Sequence, residues 1–147
     1  MQNNVSVELR QQAGYRFAVQ FSPDIPVLVS DEPAPLGQGA GPSPVQLLVA
    51  AVGNCLADSL FFALKKFKQS PEPIRASAEA TVGRSEQNRL RVQRVSVRLT
   101  LGTPADALQH LDQALAQFEE FCTVTQSVRP AFPVAVAVYD SRGQRLK

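Results

Sequence analysis

The two residues of this chain best able to do chemistry are its cysteines, Cys55 and Cys122. A thiolate is a strong nucleophile, whereas a neutral buried thiol behaves as a small hydrophobe. Which form a cysteine takes depends on the cations and hydrogen-bond donors that reach it. Cys55 lies in the middle of QLLVAAVGNCLADSL, an apolar run that reads as helix, and a helix dipole acts only near its first turn. An activating charge at Cys55 must therefore come from elsewhere in the chain. Two cysteines and one histidine are too few for a self-contained zinc site, and His110, in a polar context between Leu108 and Leu111, reads as a surface residue. No metal or other cofactor is expected.

The 147 residues suit one domain, residues 1–147, with a real core. A net charge of +2 with mixed signs implies no acidic partner. The arginines Arg89, Arg91, Arg94 and Arg98 cluster on an apparent strand, where a solvated face is the expectation, and they lack the aromatic interleaving of a nucleic-acid surface. Neither nucleic acid nor membrane is expected as a partner. The opening MQNNVSVELR lacks the apolar core of a signal peptide, so a cytoplasmic location is expected, where stable structural disulfides are rare.

The element that must position Cys55 runs from Ser43 to Gln69. Ser43 is a good N-cap, Pro44 suits the first helical position and Gln46 completes a capping box. Apolar residues surround this helix on all sides, which requires burial all round or a membrane. Asp58 and Ser59 inside the run, and Lys65, Lys66 and Lys68 after it, point to a buried helix. Before it, Val5–Leu9 and Tyr15–Phe21 alternate as a hairpin around a turn at Gln11–Gly14, and Ile25–Ser30 makes an edge-like third strand between prolines. The loop Asp31–Pro42 is rich in proline and glycine and is expected to be mobile.

After the helix, Ile74–Val82 alternates as a strand with small inward residues, which lets the central helix approach closely. Leu90–Leu101 is a long strand whose phase slips near Gln93, as a bulge would make it do. Thr103, Pro104 and Asp106 look like the start of a second helix, along which Leu108, Leu111, Leu115, Phe118 and Cys122 form one apolar stripe. A strand around Val134, Val136 and Val138 closes the chain. The order is strand-strand-strand-helix-strand-strand-helix-strand, an α+β fold with antiparallel sheets. If the helices pack face to face, the thiols approach disulfide reach, with Cα atoms about 4.4–6.8 Å apart. A dithiol in a reducing compartment is catalytic or redox-sensing; two inert buried thiols fit the same pattern.

The segments GPSPVQLLVAAVGNCLADSL and EEFCTVTQSVR closely resemble the OsmC/Ohr family of thiol-dependent hydroperoxide reductases. The first is similar to the family's helix leading to a reactive cysteine, and the second to its Cys-Pro-Val-Ser/Thr motif. The resemblance extends over almost the whole chain. It implies an OsmC-like fold around a central buried helix and an intertwined homodimer in which each central helix is clasped by the other subunit's sheet. It implies Cys55 as the peroxidatic thiol and Cys122 as the resolving one, an organic hydroperoxide as substrate and an external dithiol as reductant. Leu48, Val52 and Phe62, on the Cys55 face, are the expected apolar substrate pocket. Glu119 and Glu120 disfavour a Cys122 thiolate, which suits a resolving role.

Two departures from the family pattern stand out. Family peroxidases carry a glutamate ten residues before the reactive cysteine, holding an arginine over the thiolate; here that position is Val45. The proline after the second cysteine is Thr123. Arg16 is the best remaining cation, with Arg10 behind it. The alternative reading is a non-enzymatic dimer that binds an apolar small molecule and keeps inert cysteines. A redox sensor whose disulfide changes a partner interaction is a third.

Overall fold

The computed structural model describes all residues from Met1 to Lys147. They form two compact units, Met1–Leu48 and Val49–Lys147. The first is an antiparallel sheet of β1 (Glu8–Ala13), β2 (Arg16–Gln20) and β3 (Leu28–Ser30), in that order. The first strand begins three residues later than its alternation suggests and runs through the expected turn. Pairing decides this: Glu8 to Gln11 face Gln20 to Phe17, and the chain reverses at Gly14, whose φ of +56° favours glycine. Val5 and Val7 stay exposed outside the sheet. The third strand shortens to three residues, because Pro23 and Pro26 precede it.

The Asp31–Pro42 loop is pinned rather than mobile. Asp31 is buried, and its carboxylate accepts the backbone N–H groups of Gln38 and Ala40, both at 3.1 Å. Its own N–H donates to Pro42. Gly37 and Gly41 press so closely on the backbone of Glu32 and Val29 that no side chain fits. The N–H of Ala40 is the main reason that the Asp31 carboxyl lies below its ordinary pKa, with the Arg16 charge a smaller contribution.

The helix α1 (Pro44–Lys66) crosses from one unit to the next. Its capping box forms as expected: the Ser43 N–H donates to Gln46 Oε1 at 2.9 Å, and the Gln46 N–H to Ser43 Oγ at 3.2 Å. It ends at Lys66 because Lys68 turns left-handed, with Lys68 N–H donating to Lys65 O and Gln69 N–H to Leu64 O. By length and composition α1 is apolar enough to cross a bilayer. One face of it nevertheless forms the core of the second unit: Val52, Leu56, Leu60 and Leu64 are wholly buried. Each such side chain stabilises the fold by roughly 1.5–3 kcal/mol. The opposite face, with Ala50, Asn54, Asp58, Phe61 and Phe62, is exposed in the single chain. The all-round burial expected of α1 is therefore half met.

The second unit's sheet holds β4 (Arg75–Arg84), β5 (Leu90–Thr100) and β6 (Val134–Tyr139). Gln93 is the extra residue between the Thr81–Arg94 and Val82–Val92 pairs, so the bulge falls where the phase slips. It lets Val92, Val95, Val97 and Leu99 all face the core. The small inward residues do admit the helix: a Cβ on Gly53 of α1 would lie 3.3 Å from that of Ala78. The strand β6 joins β5 in parallel rather than antiparallel. A parallel neighbour needs a long crossover, and residues 101–133 supply it.

That crossover is not one helix. It consists of a 3-10 turn (Ala105–Ala107), α2 (Leu111–Gln117), a second 3-10 turn (Phe118–Phe121) and α3 (Thr123–Val128). The expected start at Thr103 makes only the first turn, whose Ala105 N–H donates to the buried Asp140 carboxylate at 3.0 Å. His110 is exposed with φ of +58°, breaks the helix before α2, and stacks its ring on Phe67 at 4.8 Å.

Candidate functional site

Helix α1 holds Cys55 at the border between its buried and exposed faces. Cys122 is fully buried and non-helical, with φ −80° and ψ 96°, in the joint between the second 3-10 turn and α3. The expected helical stripe thus ends in a kink, and the kink delivers the thiol. The Cys122 side chain lies close enough to Cys55 to act on its thiol. The Cys122 thiol also donates to Thr125 Oγ1 at 3.0 Å, and Thr125 is wholly buried.

Burial is the main influence on Cys55 and pushes its thiol above the ordinary value; the backbone N–H of Val124 opposes this by donating to the sulfur. The neighbouring Cys122 and the negative charge of Asp58 add to the upward push. Asp58 lies three residues on along α1, exposed, and accepts a 2.8 Å hydrogen bond from Asn54. In this chain the side chains around Cys55 favour the thiol, and one backbone donor favours the thiolate.

The segment that carries Cys122 is clamped at Glu119. Burial alone would raise this carboxyl, but hydrogen bonds from Lys147 and Arg129 more than offset it and hold the pKa low. Lys147 lies 2.5 Å from it, and Arg129 pairs with it while also donating to Val134 O. Of the two carboxylates expected to act on Cys122, Glu119 is thus paired with two cations and Glu120 is exposed.

Of the other expected site residues, Arg16 lies on β2 in the first unit, half-buried, with no partner for its Nε. It lines a cleft of about 400 Å³ with Tyr15, Asp31, Leu36 and Gln38. Arg10 is exposed on β1. Val45 is exposed at the start of α1 and offers no acceptor for an arginine. Leu48 is half-buried, Val52 is sealed in the core, and Phe62 is 55% exposed. Asp58, Val124 and Thr125 are the contributors that sequence reasoning missed. The helical spacing of Asp58 from Cys55 was visible, but a backbone donor such as Val124 leaves no mark in the sequence.

The family model for OsmC-like proteins matches residues 37–137, about two-thirds of the chain, and both cysteines lie inside that span. The chain belongs to the OsmC-like family. No curated protein matches. Among solved structures, an OsmC-like protein of unknown function from Vibrio cholerae superposes with a TM-score of 0.78 at 18% identity, covering 93% of this chain and 99% of that one. An organic hydroperoxide resistance protein from Legionella pneumophila gives 0.71 at 18%, covering 93% and 98%. The organic hydroperoxide resistance protein OhrB of Bacillus subtilis gives 0.67 at 14%, covering 90% and 97%. These likenesses establish the OsmC/Ohr fold.

Proposed function

We propose that this protein reduces organic hydroperoxides with Cys55 as the attacking thiol and Cys122 as the resolving one. The Cys55 thiolate attacks the outer oxygen of ROOH, breaking the O–O bond. RO⁻ leaves and takes a proton to become the alcohol, and Cys55 becomes a sulfenic acid. The Cys122 thiol condenses with it, forming the disulfide and releasing water. An external dithiol then reduces the disulfide and is itself oxidised. Such a cycle belongs in a reducing compartment, the cytoplasm.

The observation that carries this reading is that the Cys122 side chain and the Val124 backbone N–H both act on the Cys55 thiol. Arg16, the best cation in the sequence, is the one we assign to the thiolate; within the first unit its charge acts on Asp31. Leu48 and the exposed Phe62 suit alkyl or lipid peroxides, while Val52 shapes the helix packing instead of meeting substrate. The exposed face of α1, with Phe61 and Phe62, is assigned to a second copy of the chain in a homodimer. A monomer by light scattering at micromolar concentration would contradict that assignment.

The test is oxidation of single variants. Cys122→Ser should trap Cys55 as sulfenic acid under peroxide, and Cys55→Ser should leave Cys122 unmodified. Arg16→Ala should slow the wild-type reaction at least about tenfold, 1.4 kcal/mol in the barrier. Equal oxidation of both cysteine variants would overturn the roles. A second reading, a non-enzymatic dimer binding an apolar small molecule, is favoured by the raised Cys55 pKa and the apolar Val45. It predicts no reaction faster than that of free cysteine at the same pH.

A further inference from the structure

The sheet of the second unit has two faces, and the core uses one. Val95, Val97 and Leu99 face the helices, so Arg94, Ser96 and Arg98 face away. In register, Arg98 lies between Ser77 and Ala137, and Ser96 between Glu79 and Ala135. The small side chains of Ser77, Ala135 and Ala137 leave a groove of about 500 Å³ on the outer face, within the range of small-molecule sites. Arg94, Arg98, Arg145, Tyr139 and Glu79 line it. A bridge between Tyr139 and Arg145 brings the third guanidinium in, and Arg98 stacks 3.7 Å from the Tyr139 ring centroid.

Three cations thus share one concave site with one anion. The chain's ion pairs are Lys65–Glu72, Arg129–Glu119, Arg142–Asp106 and Lys147–Glu119, so neither the groove's arginines nor Glu79 is in an ion pair, although Arg145 Nε donates to Lys147 O at 3.2 Å. Like charges gathered without a paired counter-charge repel, and a bound anion reduces that cost. Guanidinium forks match phosphate oxygens, and stacking on Tyr139 holds Arg98 in one orientation before a ligand arrives. Glu79, on the β4 side in the row between Arg94 and Arg98, excludes a second anionic group on that side of the groove but accepts hydrogen bonds from a hydroxyl or amine.

We propose that this groove binds a phosphate monoester or diester that carries a hydroxyl or amino group. The phosphate meets Arg94, Arg98 and Arg145, and the neutral or cationic end meets Glu79. The site lies on the sheet face opposite the thiols and stands independently of the peroxide reading. Its ligand is either a free phosphorylated metabolite or a phospholipid headgroup, since both present the same chemistry.

The test is titration calorimetry in low salt with glycerol 3-phosphate, alongside sedimentation with phosphatidylglycerol–phosphatidylcholine vesicles. Saturable binding in either arm is expected, and the arm that binds names the source. Arg94→Ala and Arg98→Ala should each weaken it at least fivefold. Arg75→Ala, on the same strand pair beyond the groove, should change it less than twofold. Glu79→Gln should strengthen binding of inorganic phosphate and abolish any preference for glycerol 3-phosphate over it. These side chains are exposed, and unchanged melting temperatures will show that the variants are folded. No binding in either arm, or an equal loss in Arg75→Ala and Arg94→Ala, overturns the proposal.

Discussion

Replacing Asp58 by Asn tests the electrostatics of Cys55 without removing either thiol. Asp58 is exposed and sits three residues from Cys55 on α1, a spacing that places the two Cβ atoms about 5–6 Å apart. Its charge pushes the thiol pKa up. At about 6 Å and a water-like dielectric, a unit charge contributes about 0.7 kcal/mol against the thiolate, roughly threefold in its population. Asp58→Asn should therefore raise the rate of Cys55 alkylation by iodoacetamide about threefold at neutral pH, in Cys122→Ser so that one thiol is followed. The gain should shrink as salt rises and vanish at high pH, where both proteins are fully thiolate. In wild type the rate should climb with pH to above the ordinary thiol range, because the Cys55 pKa is raised. Equal rates for the two proteins at every pH and ionic strength would refute the reasoning. A slower Asp58→Asn would do so more strongly.

Thr123→Pro should stabilise the protein by about 0.4–1 kcal/mol, raising the melting temperature by about 1–4 °C. Thr123 is the first residue of α3, where proline is welcome, and Cys122 before it is already extended. Destabilisation would show that the Thr123 N–H has a necessary partner. Stability should also fall in acid. Asp31 and Asp140, held low chiefly by the N–H groups of Ala40 and Ala105, and Glu119, held low by Lys147 and Arg129 against its burial, all ionise more readily in the native state. Their contribution is complete above the ordinary carboxylate range and is lost as pH falls through the depressed native values. The urea midpoint should be markedly lower at pH 3 than at pH 6, and an unchanged midpoint would contradict this.

The central helix was legible because local chemistry marked it: Ser43 and Gln46 close its first turn as their types predict. The bulge at Gln93 was legible because a strand's period of two makes any extra residue show as a slip in phase. The second helix misled because Leu108 to Cys122 keeps a helical spacing while the backbone breaks at His110 and again at Cys122. Spacing records which residues face the core, not the dihedral angles between them. The parallel pairing of β6 had a signal, the long span from Leu101 to Pro133, that an antiparallel hairpin does not need. At the site, the nearness of the two thiols was an expectation drawn from both cysteines facing one core. The Val124 donor and the clamp on Glu119 were not, since one is backbone and the other joins residues far apart in sequence.

The most direct test of the central claim is the intact mass of the fully reduced protein after one equivalent of cumene hydroperoxide. The account predicts a rapid loss of two hydrogens, with peptide mapping locating a Cys55–Cys122 disulfide and one equivalent of cumyl alcohol released. An unchanged mass, or the slow gain of oxygen on Cys55 alone while Cys122 stays free, would contradict it.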